Sequence, residues 1–180
     1  GGHGRRPVRH RVAVAQFVGD RLDRVQVRHC GPMGIRSRLA IAPPDPPKRL
    51  AKQILVIASF DPWDEPVELL IDSMKRLTEY NFVITADANK LNAATASSLQ
   101  QLNNVSLTGF LATEDYHQFL CSSLAALVLT TSDATQPSGA CEALSSDTQL
   151  VISRTSLTEK LFGEWAVLVD NDSEAIAQAI

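Results

Sequence analysis

The sequence lacks the features that identify several large classes of protein. No apolar run approaches the ~18 residues that a membrane-spanning helix needs, and the chain starts without an apolar signal region. It contains no His-Glu-x-x-His, Walker, Gly-x-Gly-x-x-Gly or Ser-His-Asp pattern. These absences argue against zinc proteases, P-loop nucleotide hydrolases and conventional dinucleotide-binding enzymes. Because the sequence shows neither a membrane-spanning run nor a signal region, we expect a cytoplasmic protein with no transmembrane segment.

Cysteine is scarce as well. The three cysteines, Cys30, Cys121 and Cys141, are too widely spaced for a zinc-binding motif. Cys121 and Cys141 fall at apolar or small positions of predicted helices. We expect them to be buried free thiols, as is usual in the cytosol, and we predict no metal site.

Positive charge is rare in most of the chain. Residues 51–180 contain 6 Lys and Arg against 17 Asp and Glu, whereas residues 1–50 contain 11 against 3. Every cation of residues 1–40 is Arg, and Phe17 is the only aromatic residue there. A nucleic-acid-binding arm would interleave basic with aromatic residues, so we predict no nucleic-acid partner.

A proline-rich stretch divides the chain. Residues 42–47, Ala-Pro-Pro-Asp-Pro-Pro, have the composition of a stiff, extended linker. We therefore predict a basic N-terminal segment with its linker over residues 1–50, disordered or non-native, and a folded domain over residues 51–180.

The folded part alternates short apolar runs with helical patterns. Residues 54–58 are continuously apolar, which is typical of a strand buried on both faces. The alternation predicts an α/β fold: a Rossmann-like, doubly wound parallel sheet of about six strands, with ligands at the carboxyl ends of the strands. Ser156 and Ser173 are predicted to cap the last two helices. The six predicted strands are 54–58, 82–85, 105–107, 125–129, 150–152 and 166–169.

The strongest candidate site follows the fourth predicted strand. Small polar residues lead to Pro137, which opens a helix whose N–H groups at Ser138, Gly139 and Ala140 can face an anion. Gly139 has no side chain to block a phosphate, and Glu142, one turn further on, can accept from sugar hydroxyls. An ordinary helix start with a solvated carboxylate remains the alternative.

Two cations lie at the same predicted edge of the sheet. Lys90 follows the second strand and Arg154 the fifth, so either could contact a diphosphate. The alternatives are a solvated lysine and a surface ion pair between Arg154 and Glu159. Residues 59–66, after the first strand, hold three acids and no cation, which makes them a poor phosphate cradle. Trp63 in that loop is expected to be partly buried by packing.

From about residue 54 to 180, the chain resembles the C-terminal domain of GT-B glycosyltransferases of the retaining group 1 (family 4) type. The resemblance rests on the order and spacing of several motifs, not on a single one. The motifs are Ile-Leu-Val-Ile-Ala at 54–58, Met-Lys-Arg-Leu at 74–77, Asn-Val-Ser-Leu-Thr-Gly-Phe-Leu at 104–111, Asp-Tyr at 115–116, Gln-Pro-Ser-Gly-Ala-Cys-Glu-Ala-Leu at 136–144, Leu-Val-Ile-Ser-Arg at 150–154, Val-Leu-Val-Asp at 167–170 and Glu-Ala-Ile-Ala at 174–177.

The resemblance implies a role for several of these residues. It implies that this domain binds a nucleotide-sugar donor, with the diphosphate at Ser138 and Gly139 and the ribose hydroxyls on Glu142. The family's sugar-contacting Glu is replaced here by Ala134, which shifts the expected contact to the neighbouring Asp133. No metal or other cofactor is implied, because the class relies on helix N–H groups and cations.

A GT-B enzyme also needs an N-terminal Rossmann-like domain, and residues 1–50 are too short to supply one. The resemblance therefore implies one half of a hexosyltransferase-type enzyme, inactive alone, with any peripheral membrane contact made through the full-length protein. Two alternatives stay open: a UDP-sugar epimerase of the same architecture, and a non-catalytic nucleotide-binding or interaction domain.

Overall fold

The computed structural model describes residues 48–180. The predictions for the basic segment, for Cys30 and for the proline-rich linker lie outside the described residues. Across the described part, no helix is both long and apolar enough to cross a membrane.

Within residues 48–180, six strands form one parallel sheet in the order β3-β2-β1-β4-β5-β6. This confirms the predicted Rossmann-like layer, and each predicted strand is present. β1 begins earlier than expected, with an irregular register between Leu50 and Ile54. The strands are β1 (Leu50–Val56), β2 (Asn81–Ile84), β3 (Val105–Leu107), β4 (Ser123–Val128), β5 (Gln149–Ser153) and β6 (Ala166–Val169).

In the described part of the chain, six α-helices cover the two faces of the sheet, and a short 3-10 helix, Ala88–Lys90, follows β2. Helices α1, α2 and α6 contribute to one apolar core, and α3, α4 and α5 contribute to the other, so the sheet is doubly wound as predicted. The helices are α1 (Val67–Arg76), α2 (Ala93–Gln100), α3 (Thr113–Ser122), α4 (Ser138–Ser145), α5 (Ser156–Phe162) and α6 (Ser173–Ala179).

The central strand shows why continuous apolar runs produce this architecture. Ile54 and Val56 side chains enter the core beneath α1, while Leu55 enters the core beneath α4. All three are at most 1% exposed. Burying such a side chain stabilises the fold by about 1.5–3 kcal/mol, so both faces of the strand must be apolar.

Two helix caps differ from the prediction by one residue. Thr155, not Ser156, accepts from the N–H of Thr158 and forms a capping box with it. Asp172, not Ser173, accepts from the first N–H groups of α6. In each case the sequence places two capping residues side by side, and only the structure shows which one has the extended backbone that a cap requires.

Topology determines where a ligand crevice lies. β1 and β4 are neighbours, but the helices that follow them, α1 and α4, pack on opposite faces of the sheet. Loops that diverge in this way leave a crevice at the carboxyl ends of the two strands. The residues that bound it are 57–66 after β1 and 129–137 after β4.

Gly139 brings α4 into direct contact with the end of β1. A Cβ atom at this position would lie 2.6 Å from Cγ2 of Ile57 and 3.1 Å from its Cβ. Ile57 is β-branched and its χ1 angle is stiff, so it cannot easily move aside. The missing side chain is therefore explained by packing between helix and strand.

We predict that Gly139→Ala lowers the free energy of unfolding by about 1–3 kcal/mol, because it overpacks this contact. Urea denaturation of the 180-residue chain measures the change. In an Ile57→Ala background, which removes Cγ2, most of the penalty should disappear. An alanine variant as stable as the parent chain would contradict the close approach, since helix propensity alone favours alanine over glycine.

Candidate functional site

Hydrogen bonds across the crevice tie its two bounding loops together. The Thr130 hydroxyl donates to Oδ1 of Asp64 at 2.8 Å, and the Thr131 N–H donates to the Asp64 carbonyl at 2.7 Å. The Thr131 hydroxyl reaches the Trp63 carbonyl at 3.4 Å. The loop after β1 and the loop after β4 are therefore held in a fixed relation to each other.

The loop after β1 folds around one of its own acids. The Glu65 carboxylate accepts from the N–H of Ser59 at 2.9 Å, from the Ser59 hydroxyl at 3.0 Å and from the N–H of Phe60 at 2.7 Å. Phe60 is buried and adopts a positive φ of 59°, which is rare for a bulky residue. Burial raises the pKa of Glu65 above its ordinary value although these donors favour the charged form.

Trp63 does not pack as the sequence analysis expected. Its side chain is 91% exposed at the tip of this loop. The prediction of a partly buried Trp63 is therefore wrong. The buried position is taken by Phe60, which points into the core beneath α1, so the loop needs only one aromatic anchor.

Helix α4 begins at the crevice with an open N-terminus. Pro137 precedes it and supplies no side-chain cap, and its first turn carries no acid. The Ala140 N–H donates to the Pro137 carbonyl at 3.2 Å. Within residues 48–180, the N–H groups of Ser138 and Gly139 donate to no protein oxygen, so the positive end of the helix dipole is left uncompensated.

Glu142 lies one turn inside α4 and contacts the neighbouring helix. The Tyr116 hydroxyl, in the first turn of α3, donates to Oε2 of Glu142 at 2.6 Å. Burial, followed by the hydrogen bond and the charge of Glu142, raises the pKa of Tyr116 well above its ordinary value. The phenol therefore stays neutral and donates, and Glu142 is presented as an acceptor. Tyr116 was not predicted from the sequence to be a site residue.

Asp133 connects the crevice to the next loop. Its Oδ1 accepts from the N–H of Ser156, the first residue of α5, at 3.0 Å. Ala134 beside it is exposed. Asp133 thus lies in the loop that precedes α4, and one of its oxygens already has a protein donor.

Arg154 is engaged with protein acceptors. Its guanidinium lies 3.3 Å from Glu159 and 3.3 Å from Asp170, and it also donates to the Leu168 carbonyl at 3.3 Å. The surface ion pair with Glu159, left open by the sequence, is thus present. Both pairs are largely exposed, and pairs of this kind contribute about 0–1 kcal/mol, so a phosphate could compete for the guanidinium.

Lys90 lies at the carboxyl edge of the sheet, after β2. Its Nζ lies 5.9 Å from the centre of the Phe110 ring, which is 88% exposed. This distance corresponds to a weak cation–π contact between the loops after β2 and β3. Lys90 is exposed and makes no ion pair within the described part of the chain.

A closed ring of polar contacts joins the ends of β4, β5 and β6, and the sequence analysis missed it. The Thr130 N–H donates to Ser153 Oγ at 2.9 Å, and Ser153 donates to Asn171 Oδ1 at 2.7 Å. Asn171 Nδ2 in turn donates to the Thr130 carbonyl oxygen at 2.9 Å, which closes the ring. The signal available in the sequence is that each of these residues ends a strand or lies within two residues of a strand end.

The structure thus brings Ser138, Gly139, Ala140 and Glu142 together on α4, with Asp133 in the preceding loop. Arg154 and Lys90 lie at the same edge, after β5 and β2. No group of three or more His, Cys, Asp or Glu residues within residues 48–180 is arranged to hold a metal ion.

A cavity of about 350 Å³ lies at the opposite, amino-terminal edge of the sheet. It is an open groove and includes none of the site residues predicted from the sequence. Asn104, one of its walls, holds the end of α1 by donating to two carbonyl oxygens, which is a structural task. The lining residues are Lys75, Thr78, Asn81, Gln101, Leu102, Asn103 and Asn104.

The raised pKa of Glu65 leads to a pH-dependent prediction. The folded chain holds this proton more tightly than the unfolded chain, whose Glu titrates near pH ~4.3. The contribution of Glu65 to the free energy of unfolding is therefore complete below that pH and declines as the pH rises through the raised pKa. Urea denaturation from pH 4 to pH 8 should show the parent chain losing stability relative to Glu65→Gln over this window.

Glu68→Gln is the control, since Glu68 is an exposed glutamate in the first turn of α1. If the free energy of unfolding of the parent chain minus that of Glu65→Gln stays constant or increases from pH 4 to pH 8, the pKa of Glu65 is not raised.

Solved structures of other proteins share this fold. An α,α-trehalose-phosphate synthase (UDP-forming) from Burkholderia vietnamiensis is 16% identical, with a TM-score of 0.58 over 71% of this chain and 36% of that one. Anabaena Alr3699/HepE, solved with UDP and glucose, is 20% identical, with a TM-score of 0.54 over 71% and 37%. A Listeria monocytogenes protein provisionally assigned as UDP-N-acetylglucosamine 2-epimerase is 14% identical, with a TM-score of 0.53 over 71% and 35%.

At these identities the likeness shows a shared fold, and the chain spans about a third of the length of these proteins. No curated protein matches the sequence. The family model described as "Glycosyl transferases group 1" matches residues 51–180, which is the whole of the sheet except its first residue. The chain therefore belongs to the group 1 glycosyltransferases and contains one Rossmann-like domain of their GT-B architecture.

Proposed function

We propose that this domain binds the nucleotide-sugar donor of a retaining glycosyltransferase. The observation that carries the proposal is the open N-terminus of α4 at the crevice between β1 and β4, with Glu142 one turn inside it. The free N–H groups of Ser138 and Gly139 suit a diphosphate. The Glu142 carboxylate suits ribose hydroxyls, which donate hydrogen bonds.

Uridine is the first nucleotide to test. Two structural neighbours described above are UDP-forming or solved with UDP, and they share the fold of this chain, which supports a uridine nucleotide. In the proposed complex, Asp133 would contact the sugar, and Lys90 or Arg154 would approach the diphosphate. Arg154 would first have to exchange its contacts with Glu159 and Asp170 for the phosphate oxygens.

The activity of the whole enzyme would require a second, N-terminal Rossmann-like domain to bind the acceptor. We propose that such a domain is the main partner of this one, and that the present chain alone transfers no sugar. The family membership supports this, because the solved neighbours are about three times longer than the part that matches. The acceptor would then be bound outside residues 48–180.

The epimerase and the non-catalytic domain remain second candidates. An epimerase needs acid–base residues beside the sugar, and none of the loops that bound the crevice contains a histidine. The non-catalytic alternative draws support from the acids of the loop after β1 and from the engaged Arg154. Binding of a nucleotide would exclude a pure interaction domain.

We predict that UDP raises the melting temperature of the chain and that Glu142→Ala weakens its binding at least about tenfold. The loss corresponds to one or two hydrogen bonds to a charged group, each contributing about 1.5–3 kcal/mol. Calorimetry with UDP, GDP, ADP and their glucose and N-acetylglucosamine derivatives identifies the preferred nucleotide. Glu164→Ala is the matched control, because Glu164 is exposed at the opposite edge of the sheet. Equal losses in both variants, or no binding at millimolar nucleotide, would contradict the proposal.

We further propose that donor binding needs no metal ion, because helix N–H groups and cations would neutralise the diphosphate. The expected result is that UDP affinity is the same in EDTA and in excess Mg²⁺ or Mn²⁺. An affinity that rises more than about tenfold with either ion would indicate a metal-bridged diphosphate instead.

A further inference from the structure

The contact between Tyr116 and Glu142 joins two helices that both begin at the carboxyl edge of the sheet, α3 after β3 and α4 after β4. Tyr116 is the fourth residue of α3 and Glu142 the fifth of α4, so each lies within about 6 Å of its helix start along the axis. Their bond of 2.6 Å is a direct side-chain contact between helices that also share an apolar core. The pair therefore lies next to the open N-terminus of α4.

In this hydrogen bond the Tyr116 hydroxyl is the donor and the Glu142 carboxylate is the acceptor. Burial raises the pKa of Tyr116, so its hydroxyl keeps the proton at neutral pH. A distance of 2.6 Å is within the range of O–H donation to an ionised carboxylate. Glu142 Oε2 is thereby occupied, while Oε1 accepts from no donor within residues 48–180. The remaining oxygen can accept a hydroxyl from a ligand.

A glutamate has three side-chain torsions and loses much rotational freedom when it binds a ligand. Tyr116 removes part of that freedom in advance, because its aromatic ring packs into the core that α3 and α4 share. A carboxylate held in this way is pre-organised for a hydroxyl, as binding groups on rigid elements generally are.

We propose that Tyr116 is a positioning residue that holds Glu142 for the ribose of a nucleotide and so makes the domain selective for ribonucleotides. The inference rests on the proposed function, because it requires Glu142 to contact ribose. It adds that Tyr116 acts only through Glu142 and only on ligands that carry ribose hydroxyls.

The test compares UDP with 2′,3′-dideoxy-UDP by calorimetry on the 180-residue chain. The parent chain should prefer UDP by at least about tenfold, the effect of one hydrogen bond to a charged group. Tyr116→Phe keeps the ring and loses only the hydroxyl, and it should reduce the preference to about threefold or less by weakening UDP alone. The affinity for the dideoxy nucleotide should not change, whereas a general structural defect would lower both affinities together.

Tyr80→Phe is the matched control, because Tyr80 also donates one hydrogen bond, to the Ile180 carbonyl at 3.1 Å, and packs in the other core. It should leave the preference for UDP intact. In a Glu142→Gln background, Tyr116→Phe should have little further effect, since its action passes through the carboxylate.

The outcomes separate the two proposals. If the parent chain prefers UDP and Tyr116→Phe keeps that preference, the role of Tyr116 is overturned while donor binding stands. If Tyr116→Phe weakens both nucleotides equally, Tyr116 is a structural residue only. If the parent chain binds no nucleotide, or does not distinguish the two, the ribose contact of Glu142 fails, and the inference fails with it.

Discussion

The parallel pairing of β1 with β4 is the constraint on which the rest of the site depends. Because the chain leaves these neighbours toward opposite faces, their loops part and open a crevice at one edge of the sheet. Gly139 then allows α4 to approach Ile57, which sets the position of the helix N-terminus at that crevice. The hydrogen bonds of Asp64 fix the second wall. The open N–H groups and Glu142 are thus positioned by backbone packing.

The charge around the crevice is a second constraint, and it opposes tight binding of an anion such as a diphosphate by this chain alone. The N-terminus of α4 is positive, but the surrounding loops carry acids, and Arg154 is paired with Glu159 of α5 and with Asp170 after β6. The Glu65 carboxylate accepts hydrogen bonds from the N–H groups of Ser59 and Phe60, which could otherwise donate to a phosphate. A diphosphate would therefore depend on α4 and on cations that move or that come from another domain.

Much of the fold could be predicted from the sequence, because continuous apolar runs such as residues 54–58 have few alternatives to a buried parallel strand. Side-chain placement could not. Nothing local distinguishes Thr155 from Ser156 as a cap, or shows that Phe60 is buried while Trp63 is exposed. The candidate site residues on α4 could be proposed from the sequence because a helix start has a local signature, whereas Tyr116 lies 26 residues from Glu142 and meets it only through packing.

The most direct test of the account is an amide NMR titration of the chain with UDP, because it reports on each N–H group separately. The account predicts that the largest shifts occur at Ser138 and Gly139, with smaller shifts at Glu142 and Tyr116. The groove around Asn103 and Asn104 at the opposite edge should remain unchanged. Shifts centred on that groove, or unchanged amides at the start of α4 when UDP is saturating, would contradict the central claim that this helix N-terminus binds the nucleotide.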